Sequence, residues 1–76
     1  MTVKWKVKEL LDQHNKTPYA LWKASGLSRT ATYQICSGEM LGLRFDALAR
    51  LMYGLEKLLG QAITPNDVLE VVREPI

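Results

Sequence analysis

Apolar residues at helical spacing first occur near the start of the chain. Val7, Leu10 and Leu11 fall on one face of a helix, and polar residues follow as far as Asn15. Asparagine tolerates the left-handed backbone conformation in which many helices end. The pattern therefore predicts a first helix that ends near Asn15.

A second helix is predicted over 18–25. Thr17 and Pro18 form a helix start, because the hydroxyl can cap free backbone N–H groups and the proline ring holds φ at a helical value. Leu21 would then face inward.

A glycine separates this helix from the next one. Gly26 can take a positive φ without steric cost, so we expect the chain to turn there. Leu27 follows as an inward residue, and Ser28 is a capping residue. Together they predict a third helix over 28–36, which Ser37-Gly38 ends.

A longer fourth helix carries a wide apolar face. Its apolar residues recur at intervals of three and four positions: Phe45, Leu48, Met52, Leu55 and Leu59, with Leu51 and Leu58 beside them. At about 100° per residue they span about 140°, more than one packing stripe of a small bundle needs. We therefore expect part of this face to contact a second molecule.

The last predicted helix is short and leads into a strand. Gly60 ends the fourth helix, and Thr64-Pro65 starts another, with Ile63 placed to pack on Val68 as a hydrophobic staple. The β-branched density over 68–72 then favours a terminal strand.

The first residues also have strand character. Val3 and Trp5 alternate with lysines, which is typical of a half-buried strand, so the boundary with the first helix stays open. A strand here could pair with the one at the other end of the chain.

Length and composition limit the class of protein. The chain has 76 residues, 47% of them hydrophobic and 24% charged, as in globular domains. We expect a single domain over 1–76 that buries about 60% of its unfolded surface. No uncharged run approaches the roughly 20 residues of a membrane helix. A continuous apolar block is also missing at the start, so we expect a cytoplasmic protein without membrane contact.

Charge is unevenly distributed along the chain. Residues 1–50 carry eight Lys or Arg and four acids, whereas 51–76 carry two and four. The segment 13–38 has no acid but contains Lys16, Lys23 and Arg29. This distribution suits a polyanionic partner.

The segment Thr17 to Gly38, read as TPYALWKASGLSRTATYQICSG, resembles the helix-turn-helix of the phage-repressor (Xre/Cro-like) family. The matching positions are Leu21, Gly26, Leu27, Ser28, Ile35 and the closing Ser37-Gly38. The resemblance implies an all-α, five-helix lambda-repressor-like DNA-binding domain, here with room for a short terminal β-pair. It also implies sequence-specific binding of double-stranded DNA, usually as a dimer, by a transcription regulator.

Two positions depart from the family pattern. Trp22 stands where the family commonly has alanine, and Thr32 stands where an aliphatic residue is usual. We interpret Trp22 as a core residue that fills the space Thr32 leaves, and expect Trp22→Ala to destabilise the fold by about 3 to 5 kcal/mol.

The third helix is the candidate recognition helix. If Thr32 and Ile35 turn inward, four candidate base-reading residues face out: Arg29, Thr30, Tyr33 and Gln34. Arginine can pair with guanine and glutamine with adenine in the major groove. A plain solvated helix face is the alternative interpretation.

Six further residues lie at predicted helix ends or flanking surfaces, where donors and positive charge could hold phosphates. They are Thr17, Tyr19, Lys23, Ser28, Ser37 and Arg44. An ordinary cap or solvated charge would explain each of them equally well.

Signs of catalysis are missing from the sequence. His14 and Cys36 are too far apart for a local zinc site or a Cys-His pair, and no Gly-rich phosphate loop occurs. We interpret His14 as a helix-end residue and Cys36 as a small apolar filler. We expect no enzyme activity, no metal and no cofactor.

A protein-interaction module is the competing class. The same bundle could hold a partner such as a toxin, through the wide apolar arc or the surface of Trp5 and Trp22. We place homodimerisation in the C-terminal third, whose acidic charge would repel DNA. The expected contacts are Leu55, Leu58, Leu59, Val71 and Val72.

Overall fold

The structure is a computed structural model that describes residues 1–74. Within them the chain forms five helices and an antiparallel pair of strands. Their order is β1 Thr2–Trp5, α1 Val7–Gln13, α2 Pro18–Ser25, α3 Arg29–Ser37, α4 Phe45–Leu59, α5 Pro65–Val68 and β2 Leu69–Val72. The predicted five-helix fold with a terminal β-pair is confirmed. None of the described helices is long and apolar enough to cross a membrane.

Local caps set the limits of α2 and α3. The hydroxyl oxygens of Thr17 and Ser28 each accept a hydrogen bond from the backbone N–H three residues on, at 3.2 and 3.1 Å. Positive φ values of 76° at Gly26 and 81° at Gly38 end the two helices. Glycine adopts this conformation without strain, so the sequence alone located these ends correctly.

The core lies between the helices and beneath the strands. Its buried apolar residues are Val7, Leu11, Leu21, Leu27, Ile35, Cys36, Leu51, Leu55, Ile63 and Val68. The predictions that Leu21, Leu27 and Ile35 face inward and that Cys36 is an apolar filler are confirmed. Thr32 is also fully buried, and its hydroxyl donates to the carbonyl of Ser28 at 2.9 Å.

A close approach between α2 and α4 depends on Gly54. This residue is buried in the middle of α4, where a Cβ would lie 2.6 Å from both Cα and Cβ of Ser25. Real Cβ atoms do not come so close to backbone, so any larger residue would push the helices apart. The position of α2 therefore rests on a glycine that the sequence analysis did not single out.

The chain termini form the expected β-pair. Val3 lies opposite Val71, and Trp5 lies opposite Leu69. The indole N–H of Trp5 donates to the carbonyl of Met40 at 2.7 Å, which ties β1 to the loop after α3. The strand interpretation of the first residues is therefore confirmed.

The stripe of apolar residues along α4 is only partly buried. Leu51 and Leu55 are fully buried, whereas Phe45 is 88% exposed. Leu55 cannot contribute to self-association, because it already packs inside its own chain. That part of the predicted dimer surface is wrong, and Leu58 and Leu59 are half-buried against the same core.

A capping box begins α5. The backbone N–H and the hydroxyl of Thr64 donate to the carboxylate of Asp67, at 2.8 and 3.1 Å. The backbone bond, and after it the hydroxyl bond, hold the pKa of Asp67 below its ordinary 3.8, because both stabilise the ionised form. Ile63, which precedes the cap Thr64, and Val68, which ends α5, are both buried, as the hydrophobic staple requires.

Asp67→Asn is expected to remove a stabilisation that depends on pH. The pKa of Asp67 is lower in the folded than in the unfolded state. Its contribution is therefore complete above the unfolded value and is lost as the pH falls through the folded value. Urea unfolding at neutral pH and in strong acid should show the two proteins converging at low pH. Glu39→Gln is the control, because Glu39 is an exposed carboxylate outside the capping box. An equal gap at both pH values would contradict the assignment.

Candidate nucleic-acid interface

The candidate recognition helix α3 has two chemically distinct faces. Thr32, Ile35 and Cys36 are buried. All four predicted base-reading residues are exposed: Arg29, Thr30, Tyr33 and Gln34. At about 100° per residue these four lie within an arc of about 140° on the opposite side. The helix therefore presents one continuous polar surface.

This surface carries no negative charge. α3 contains no acidic residue, and the next acid along the chain is Glu39, beyond the glycine that ends the helix. Free backbone N–H groups at the start of a helix add partial positive charge. Phosphate groups would not be repelled from this side of the molecule.

Aromatic rings and cations connect α2 to α3 beside this surface. The ring of Trp22 lies 4.5 Å from the ammonium of Lys23 and 5.7 Å from the guanidinium carbon of Arg29. The Arg29 guanidinium also lies 5.7 Å from the Tyr33 ring, and Tyr19 packs edge-on against Trp22 at 5.5 Å. Cation–π contacts of this kind restrain a cationic side chain. We call these five residues the cation–aromatic cluster.

The interpretation of Trp22 as a core residue is wrong. Its side chain is half-buried and does not belong to the hydrophobic core. Thr32 leaves no space that needs filling, because its buried hydroxyl bonds within α3. Trp22 instead packs between cationic side chains at the junction of α2 and α3, which sequence spacing alone did not reveal.

Two of the predicted phosphate-contacting residues are helix caps. The hydroxyl oxygens of Thr17 and Ser28 accept backbone hydrogen bonds, so each hydroxyl hydrogen is still free to be donated outward. Both residues are exposed. The cap and phosphate interpretations are therefore compatible at these positions.

The other four predicted phosphate contacts are also exposed, but their partners differ. Tyr19 and Lys23 belong to the cation–aromatic cluster. Ser37 already donates its hydroxyl to the carbonyl of Gln34 at 3.1 Å. The side chain of Arg44 is 89% exposed, and its Nε lies 3.4 Å from Oδ1 of Asp46 in an ion pair. An exposed pair of this kind contributes little and can exchange for a phosphate.

The single cysteine lies behind the interface. Cys36 is buried, and burial raises the pKa of its thiol, so the reactive thiolate is disfavoured. Between residues 1 and 74 no group of three or more metal-ligating side chains is found. His14 sits at the end of α1, where its ring contacts the carbonyl of Leu10, as expected of a helix-end residue.

The fold and the exposed face of α3 define a helix-turn-helix DNA-binding domain. A family model, the Cro/C1-type HTH DNA-binding domain, matches residues 6–74. The chain belongs to this family, which confirms the resemblance seen in the segment 17–38. Comparison with curated proteins and with solved structures gives no match.

Proposed function

We propose that this protein is a sequence-specific transcription regulator that reads the major groove of double-stranded DNA with α3. The observation that carries the proposal is the acid-free face on which Arg29, Thr30, Tyr33 and Gln34 are exposed together. A major groove about 12 Å wide admits one α-helix, and short or planar polar side chains can reach base edges there.

Each of the four residues has a distinct role in this proposal. The guanidinium of Arg29 pairs with O6 and N7 of a guanine, and the amide of Gln34 pairs with an adenine. Thr30 places its methyl group against a thymine, and Tyr33 contacts a phosphate or sugar. The bidentate pairs carry most of the discrimination, at about 1 to 3 kcal/mol each.

Residues around the two helices hold the DNA backbone. The proposed phosphate contacts are Thr17, Tyr19, Lys23, Ser28, Ser37 and Arg44, all of them exposed. Lys23 and Arg44 supply charge, while the hydroxyl groups supply neutral donors. Such contacts set the position of the helix on the duplex without reading sequence.

A single short helix makes few base contacts, so we infer a homodimer that binds two half-sites. The half-sites would lie about 34 to 36 Å apart, one turn of the duplex. In this proposal residues 1–76 act as one DNA-binding domain of a cytoplasmic transcription regulator.

Selection of bound duplexes from a random pool, at a stated salt concentration, tests the proposal. We expect an enriched palindrome. If Lys23 and Arg44 each neutralise one phosphate per copy, a dimer releases about four counterions. The affinity should then fall by about 150-fold between 50 and 200 mM salt.

A pool that yields no enriched sequence would contradict sequence-specific reading. An affinity for duplexes that hardly changes with salt would contradict the phosphate contacts and favour the protein-interaction module. Arg50→Ala is a suitable control, because Arg50 is an exposed cation on α4 outside the proposed contacts.

A further inference from the structure

A groove of about 320 Å³ lies on the surface of the molecule, and no residue of α3 lines it. It is bounded by β1, β2, the loop after α3 and the first turns of α4. The residues lining it are Val3, Trp5, Met40, Leu41, Gly42, Leu43, Phe45, Leu48 and Leu69, and none of them is charged. Leu41 is 100% exposed and Phe45 is 88% exposed. A cluster of exposed apolar side chains is one mark of an interaction site.

The apolar surface continues across the strands. Side chains alternate between the two faces of a strand, so Val3 and Trp5 share a face with their partners Val71 and Leu69. Trp5 and Leu69 pack on the core, whereas Val3 and Val71 remain 61% and 53% exposed. We call the groove together with Val3 and Val71 the apolar face.

The apolar face combines a recess with side chains that protrude beside it. An interface with two-fold symmetry joins the same surface of both partners, so it needs matching projections and recesses within one patch. Leu41 and Phe45 are the most exposed lining residues and form the projections. Trp5, Leu48 and Leu69 are half-buried lining residues that pack on the core, and they form the recess.

The charges next to the apolar face also suit a second copy. The charged residues next to it along the chain are three of each sign: Lys4, Lys6, Glu39, Arg44, Asp46 and Glu70. Arg44 and Asp46 already pair at 3.4 Å within one chain, so both signs stand side by side at the edge. A symmetric partner can place charges of each sign opposite their complements, whereas this balance gives the face as a whole no net attraction for a polyanion.

The geometry points to the apolar face as the surface through which two copies of this chain associate. This inference rests on the proposed function, because it assigns the surface of the dimer that reads two half-sites. The loop that contributes Met40 and Leu41 directly follows the recognition helix. The dimer contact therefore lies close along the chain to α3, and not in the buried part of α4.

Sedimentation equilibrium of the full chain without DNA tests the inference, over about 1 μM to 1 mM. The variants are Phe45→Ser and Leu41→Ser, which keep the net charge. Tyr53→Ser is the matched control, because Tyr53 is an aromatic residue on α4 that is 62% exposed and does not line the groove. Circular dichroism reports whether each variant folds, and Leu41 is too exposed to be needed for folding.

We expect the wild type and Tyr53→Ser to form dimers with the same constant, and the other two variants to dimerise at least tenfold more weakly. A wild type that stays monomeric would overturn the inference, as would dimers that persist in both groove variants or are lost in the control. Binding of each protein to a single half-site duplex is measured in parallel. Failure of that binding with dimerisation intact would refute the proposed function and leave the dimer surface standing.

Discussion

Gly54→Ala is expected to destabilise the protein by about 2 kcal/mol, although alanine favours helices more than glycine does. The added Cβ would lie 2.6 Å from Cα and 2.9 Å from the backbone nitrogen of Ser25. Backbone cannot rotate out of the way as a flexible side chain can, so α2 must shift. A loss of this size would lower the midpoint of thermal unfolding by about 10 °C.

Ala49→Gly calibrates this prediction. Ala49 is exposed on the same helix, so that variant measures the ordinary preference of α4 for alanine over glycine, about 1 kcal/mol. Urea and thermal unfolding of both variants give the comparison. If Gly54→Ala instead stabilised the protein by that amount, the close approach of α2 and α4 would be refuted.

Arg29→Ala is expected to abolish preference at one base pair of each half-site, with a loss of about 10- to 100-fold per half-site on the preferred sequence. Arg29 is exposed, so its removal should leave the free energy of unfolding nearly unchanged. Binding to duplexes that carry each of the four base pairs at every position would locate the contact. Lys23→Ala is the comparison, because loss of one phosphate contact per copy should weaken all sequences equally and reduce the salt slope of the dimer by about two.

Trp22 gives this prediction a second test. The guanidinium of Arg29 lies 5.7 Å from the rings of both Trp22 and Tyr33, so Trp22→Ala should loosen the arginine and weaken the same base preference in part. If Arg29→Ala weakened binding equally on every sequence, Arg29 would be a phosphate contact. Thr30 and Gln34 would then be the remaining candidates for base reading.

Local signals predicted the helices and their ends well. Thr17, Ser28 and Thr64 begin helices, and Gly26, Gly38 and Gly60 end them, as expected. A cap or a left-handed glycine acts on backbone groups within three or four residues, so the sequence shows both partners of the interaction. The exposed face of α3 was predictable for the same reason, because helical periodicity relates residues on one element.

Contacts between different helices and strands could not be predicted from such local signals. The family pattern predicts Trp22 as a core residue that fills the space beside Thr32, yet its neighbours are Lys23, Tyr19 and the side chain of Arg29 from the next helix. Gly54 carried one available signal, since a glycine inside a regular helical pattern often marks a close packing contact. Leu55 and Phe45 belong to the same apolar stripe, but one is fully buried and the other is almost fully exposed.

The sequence by itself determined where this chain is helical, which side of α3 is polar and free of acids, and that the chain has the Cro/C1-type helix-turn-helix. These properties depend on residues close together along the chain. Only the tertiary structure decided which part of the α4 stripe stays exposed, how close α2 lies to α4, and which side chains surround Arg29. These depend on which elements meet, and burial of a side chain is a property of its neighbours in space.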